Sequence, residues 1–245
     1  MLKELAEKIE ELVNAQVKPE IVKVNDVDYV KTYQGYAELY KPSVETVQLN
    51  SLSGLVEMVK TVIMNGELKK TMPLVINIDV NNIKVTTSHD VAGKYDLIVV
   101  SDPLLPVLSL GHSQSVEELI IKLSTAFINT ANTERFIESI SNLRIVEEVE
   151  FNDDGIGQTV TAKKGAQVNQ KYTVTPIVKL KPIRSYAEIE QVESKFLFRV
   201  NQTGSVTLHE ADGGQWKYEV QKRIVEYLND NLKELVENGQ VKVIG

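Results

Sequence analysis

The sequence predicts an α+β fold, with strands and helices grouped along the chain rather than strictly alternating. Three observations carry this. Residues 171–181 alternate with period two: Tyr172, Val174, Val178 and Leu180 point one way, and Lys171, Thr173, Thr175, Lys179 and Lys181 the other. Phe196, Phe198 and Val200 alternate in the same manner with Lys195 and Arg199. Residues 215–237 instead place Val220, Ile224, Tyr227, Leu228, Leu232 and Leu235 on one helical stripe. The expected architecture is a mixed α/β N-terminal portion and an antiparallel β meander in the C-terminal half, packed against that long closing helix.

The remaining elements follow in order. Leu2, Leu5, Ile9, Leu12 and Val13 mark an amphipathic helix over 2–16, ending before Pro19. Residues 21–42 read as short strands or irregular chain, and a strand follows around Thr46 to Leu49. Ser51 is placed to cap a helix whose buried face is Leu52, Leu55, Val56, Val59, Val62 and Ile63, and Asn65-Gly66 stops it. Three strands are expected over 74–79, 83–87 and 95–101, with Asn81-Asn82 as a hairpin turn. Leu97 to Val100 is apolar on both faces, which places that strand inside its sheet. Ser115 caps a helix through about Asn129, with Glu117 and Glu118 in its first turn, and a short helix spans 133–140. Residues 152–155, Asn-Asp-Asp-Gly, turn a hairpin between strands at 145–151 and 158–163. Pro176 makes the strand at 171–181 an edge strand or a bulged one. Thr203-Gly204 turns into Val206 and Leu208, Gly239 ends the last helix, and Val241 to Ile244 adds an edge strand.

With 245 residues the chain fits one large domain or two small ones. A division into 1–110 and 111–245 is expected, although no Pro/Gly/Ser-rich linker marks it and one continuous domain fits equally. Its apolar runs are too short for a membrane helix, and its charged, periodic N-terminus is unlike a signal peptide. Cysteine is absent, which removes disulfides, thiolate metal sites and thiol nucleophiles together and makes the cytoplasm the default compartment.

The charge distribution is uneven. Residues 155–187 hold no Asp or Glu but carry Lys163, Lys164, Lys171, Lys179, Lys181 and Arg184, so this window is +6 where the whole chain is −7, leaving −13 for the rest. A pI near 5.2 argues against whole-surface nucleic-acid binding, while a polarised chain can still offer one face to an anion. If the strands pair as a meander, Lys171, Lys179, Lys181, Lys195 and Arg199 share one face of one sheet. They would form an anion- or partner-binding site for nucleic acid, a nucleotide or an acidic protein. The competing reading is that lysines simply blunt a sheet edge. Few aromatics lie between the cations, which weakens base stacking as a mode. Tyr29, Tyr33, Tyr36 and Tyr40 form a second cluster, expected at an interface or a core edge.

No catalytic template fits. The chain has no GxSxG, P-loop, GxGxxG or HExxH, and His89, His112 and His209 are far apart, so neither a metal nor a cofactor is expected. Asp153-Asp154-Gly155 lacks calcium-loop spacing. Glu147 and Glu148 are adjacent on a strand and point to opposite faces. Ser109, His112 and a distant acid such as Asp102 leave a metal-independent hydrolase as a minor alternative.

Leu49 to Val59, a strand end running into a helix, is one of two informative stretches. The other is the succession Ala126 to Phe136, Val146 to Phe151, Tyr172 to Pro182, Phe196 to Val200 and Gly204 to Leu208. Together, over roughly 40–235, they resemble the YfdQ-like proteins of phages and prophages. The resemblance implies a phage-encoded protein of the bacterial cytoplasm, often encoded near replication and recombination genes, and it carries over no catalytic residue. The function expected is non-enzymatic binding by a homo-oligomer. The partner would be nucleic acid, a nucleotide-type ligand, or a host or phage protein of the replication, recombination or defence machinery. A phage structural or assembly protein is the alternative.

Overall fold

The computed structural model describes residues 20–24, 27–32, 35–38, 45–64, 73–89, 93–141, 148–153, 158–164, 168–174, 176–201 and 203–245, together with Lys8. The chain forms two compact units, Met1–Val44 and Glu45–Gly245. The helix expected over 2–16 lies outside the described residues, apart from Lys8, which is helical.

In the first unit, β1 (Ile21–Val24), β2 (Val27–Thr32) and β3 (Gly35–Glu38) form an antiparallel sheet in that order. The tyrosine spacing suits a strand or a helix, and Gly35 favours the strand. Its φ of 124° is open to glycine and strained for other residues, and it sits where β2 returns into β3. The Thr32 hydroxyl donates to the Gly35 carbonyl (2.9 Å) across that turn.

The second unit holds α and β elements in the expected α+β class. Its largest sheet has the order β14-β5-β6-β7-β4, from β4 (Val47–Leu49), β5 (Leu74–Ile78), β6 (Ile83–Thr87), β7 (Leu97–Ser101) and β14 (Val241–Ile244). β5, β6 and β7 are antiparallel, while β4 lies parallel to β7 and β14 parallel to β5. As expected, β7 is flanked on both sides. It also carries one extra residue: Thr86 faces Leu97 and Val85 faces Val99, so Ile98 is bulged and both Ile98 and Val99 face the core. Helix α1 (Leu52–Met64) is capped by the Ser51 hydroxyl, which accepts from the Gly54 N–H (3.1 Å). It buries Leu52, Leu55, Val56, Val59 and Val62 together with β5, β6 and β7.

The second core is built on β11 (Ile177–Leu180), β12 (Ser194–Val200) and β13 (Val206–Glu210), an antiparallel sheet in that order. Leu180, Phe196, Phe198, Val200, Val206 and Leu208 face α2 (Val116–Ala126) and α3 (Ala131–Ser141). Phe127 and Phe136 pack edge-to-face on Phe196 and Phe198, with centroids 5.9 and 5.2 Å apart. Ser115 and Glu118 form a capping box at the start of α2.

Three expectations need correction. The alternating run 171–181 is not one strand. β10 (Val168–Val174) pairs with β9 (Gln158–Lys164), which pairs with β8 (Glu148–Asp153), in a sheet separate from β11. Pro176 lies at the break: it has no N–H for a ladder, and its carbonyl instead accepts from Phe198 N–H (2.8 Å). The helix after Ser115 ends at Ala126 rather than near Asn129. Phe127 turns extended and bridges to Pro182, and Ile128 donates to the Lys181 carbonyl (2.8 Å), so this stretch bonds to another strand instead of continuing the helix. Finally, among the described residues the closing helix, split at Leu232 into α4 (Trp216–Asn231) and α5 (Lys233–Glu237), turns its buried face to the five-stranded sheet rather than to β11, β12 and β13. Val220, Ile224, Leu228 and Leu232 join α1 and the five-stranded sheet. The meander draws its helical cover from α2 and α3 instead.

Candidate functional site

Strand β12 alternates strictly: Ser194, Phe196, Phe198 and Val200 are buried, while Lys195 is exposed and Leu197 and Arg199 are half-buried. Parity therefore puts Lys195, Leu197 and Arg199 on the face turned away from α2 and α3. Register completes that face in rungs. Lys179 stands opposite Lys195, Ile177 opposite Leu197, Leu197 opposite His209, and Arg199 opposite Thr207. Ile177 is 54% exposed, a large aliphatic group left in solvent.

The structure brings together three of the five expected cations. Lys179, Lys195 and Arg199 share this face. Lys171 belongs to β10, in a different sheet, and is not part of it. Lys181 follows β11 and is committed elsewhere: its ammonium lies 2.5 Å from Glu190 Oε1, and Glu190 also faces Arg223 at 3.8 Å. Hydrogen bonding and attraction from Lys181, with Arg223 beyond, hold the Glu190 carboxyl below its usual range. Among the described residues Lys179 has one distant, exposed partner, Glu193 at 3.9 Å. Among the described residues the side chains of Lys195 and Arg199 have no carboxylate partner, and Arg199 Nη1 is buried with no hydrogen bond. A buried guanidinium donor without an acceptor is costly, and Nη1 itself is closed to solvent, so any anion would meet the rest of this half-buried guanidinium.

Arg184, counted in the basic window, is not a surface cation. Only 7% exposed, it bonds through Nη1 to Glu210 and through Nη2 to Ser194 Oγ, and its guanidinium lies 4.0 Å from the Trp216 ring centroid. Burial pulls its pKa below the ordinary arginine value, while Glu210 and Asp212 oppose that pull. It anchors a strap, residues 181–193, that runs between the two cores. Gln191 fastens the strap internally, accepting from Arg184 N–H (2.9 Å) and Ser185 N–H (3.1 Å) and donating to the Tyr186 carbonyl (2.9 Å). Tyr186 donates to the Ser101 carbonyl (2.6 Å), and burial pushes its pKa up to about 12. Glu188 accepts from Ser53 N–H and Oγ (3.1 Å each) at the start of α1, where the helix dipole favours a carboxylate. This strap holds the end of β11 and the start of β12 in place.

Sequence reasoning weighed His209 only as a metal ligand and passed over Leu197 and Thr207. Strand parity could have found all three, because Leu197 alternates with Phe196 and Phe198, and Thr207 and His209 alternate with Val206 and Leu208. The open side of the sheet is also defined. Gly111 donates to the Leu208 carbonyl (2.8 Å), and Gln114 exchanges backbone hydrogen bonds with Val206 (3.0 and 2.8 Å), so part of the β13 edge is occupied. β11 is the terminal strand on the other side.

The other candidates are placed as follows. By register Tyr29 and Tyr36 share one face of the first unit's sheet, Tyr29 half-buried and Tyr36 55% exposed; Tyr33 and Tyr40 lie outside the described residues. Among the described residues no hydrogen bond joins Ser109, His112 and Asp102; the Ser109 carbonyl accepts from Lys122 (2.8 Å). Asp153 ends β8, while Glu147, Asp154 and Gly155 lie outside the described residues. No group of three or more His, Asp or Glu side chains that could hold a metal occurs among the described residues, and no described helix is long and apolar enough to cross a membrane.

Comparison with protein-family models, curated proteins and solved structures finds no match for this chain.

Proposed function

We propose that this chain is a phage- or prophage-encoded binding protein, not an enzyme, acting in the bacterial cytoplasm as a homo-oligomer. Its partner is anionic and docks on the outward face of β11, β12 and β13. The observation that carries the reading is the arrangement of three cations on one small sheet face. Lys179 and Lys195 are directly opposed, and Arg199 keeps a buried donor unpartnered. An anion on this face would relieve the repulsion among the three cations. The classes that fit are nucleic acid, a nucleotide-type ligand, and an acidic surface of a replication, recombination or defence protein. The phage setting rests on the resemblance of Leu49 to Val59 and the later strands to YfdQ-like proteins. The homo-oligomer rests on exposed Tyr36 beside Tyr29.

Native mass spectrometry of the purified chain, before any high-salt wash, tests both parts. The expected result is a small closed oligomer carrying anionic mass that the double variant Lys179→Glu/Lys195→Glu does not retain. A bare monomer, or ligand retention unchanged in that variant, would overturn the assignment.

A further inference from the structure

Resting on the reading of this face as the binding site, we infer that its partner is an extended acidic peptide with the pattern acid–x–apolar–x–acid, rather than a nucleic acid. The face is banded along the strand direction. Lys179 and Lys195 form a cationic rung, Ile177 and Leu197 an aliphatic rung, and Arg199 with Thr207 a third rung that pairs a guanidinium with a hydroxyl. Successive rungs lie two residues apart on β12, so Lys195 and Arg199 are separated by about 14 Å, with Leu197 midway.

An extended peptide laid along β12 repeats the same spacing. Its side chains at i, i+2 and i+4 face the sheet together at intervals of about 7 Å. Carboxylates at i and i+4 then meet the lysine rung and Arg199, and an apolar side chain at i+2 covers Leu197 and Ile177. Arg199 is suited to a carboxylate because its planar fork can hold one in bidentate fashion. A single-stranded nucleic acid gains its sequence-tolerant affinity from aromatic platforms. Among the described residues of this face the groups between the cations are aliphatic, Ile177 and Leu197, and the single ring, His209, lies at the margin. The strap end beside this face shows the same chemistry within the chain, since Glu193 already approaches Lys179 at 3.9 Å.

The test uses the full chain and three probes of equal charge: a peptide with the pattern, a peptide of the same composition with acids and leucines moved to opposite faces, and oligothymidylate. Binding is followed by fluorescence anisotropy at low and moderate salt. The expected result is that the patterned peptide binds at least about tenfold more tightly than either control. That margin should disappear in Leu197→Ser and in Arg199→Gln, each shown by circular dichroism to be folded. Equal binding of the two peptides would overturn the inference by reducing the face to bulk charge. Tighter binding of oligothymidylate would overturn it in favour of nucleic acid while leaving the anion-binding reading intact. If none of the three binds, both readings fail.

Discussion

Lys179 and Lys195 stand directly opposite each other on neighbouring antiparallel strands, two ammonium groups on one rung of a solvent-facing sheet. Like charges so placed destabilise a strand pair. A fold with no use for the pair gains by replacing either one. Lys195→Glu is therefore expected to raise stability by about 0.2–1 kcal/mol, read as a higher urea midpoint, while weakening anion binding. A variant that is more stable and less able to bind separates function from packing. A fall in stability would mean that Lys195 has a structural role.

The Arg184–Glu210 pair predicts an asymmetry. Arg184 is buried and Glu210 is partly exposed, with a side chain 36% accessible. Glu210→Ala leaves the guanidinium with Ser194 and the more distant Asp212, and is expected to cost about 3 kcal/mol. Arg184→Met removes the buried charge and keeps much of the contact with Trp216 and Phe196, so it should cost less. Denaturant midpoints of the two variants give the comparison.

Glu190 gives a pH-dependent prediction. Lys181 and Arg223 hold its pKa below the ordinary 4.5. The stability it contributes is therefore present at neutral pH and is lost as pH falls from 4.5 through the folded-state value. Glu190→Gln should lower the urea midpoint at neutral pH, with the gap to the wild type narrowing in acid. A gap that stays constant as pH falls would assign the effect to packing.

The capping box predicts that Ser115→Ala destabilises the second unit by about 1 kcal/mol. Ser115→Asp should recover most of this, because a carboxylate also accepts first-turn N–H bonds and suits the helix dipole. Thermal unfolding of the pair checks it.

Tyr186 extends the pH argument to alkali. Its hydroxyl is buried against the Ser101 carbonyl, and its pKa is pushed from 10.0 up to about 12. Folding then favours the protonated form, so its contribution is complete below pH 10 and lost as pH rises through about 12. Tyr186→Phe should cost about 1 kcal/mol at neutral pH and flatten the alkaline fall in stability, as followed by denaturant titration.

Much of this fold was legible in period and punctuation. Ser51, Ser115 and Gly239 marked helix ends, and Phe196, Phe198 and Val200 marked one face of a sheet. Long-range pairing was not legible. The alternation of 171–181 continues in phase across Pro176, so the pattern cannot reveal that its two halves join different sheets. The stripe on α4 shows that the helix is buried but not against what, and Val220 and Ile224 serve the five-stranded sheet as well as they would serve a meander. The early stop at Ala126 depends on a backbone partner at Pro182, distant in sequence. Of the candidate site, Lys179, Lys195 and Arg199 followed from strand parity. That Lys181 is taken by Glu190 and that Arg184 turns inward to Glu210 depended on the path of the strap, whose internal fastener, Gln191, belongs to no periodic pattern.

The most direct measurement is lysine reactivity by mass spectrometry, on the chain alone and with an acidic polymer added at low salt. Lys179 and Lys195 should be protected by the polymer and exposed again by salt, while Lys222 and Lys242, on α4 and β14, keep their reactivity throughout. Equal protection of all four, or none, would contradict a binding face on β11 and β12.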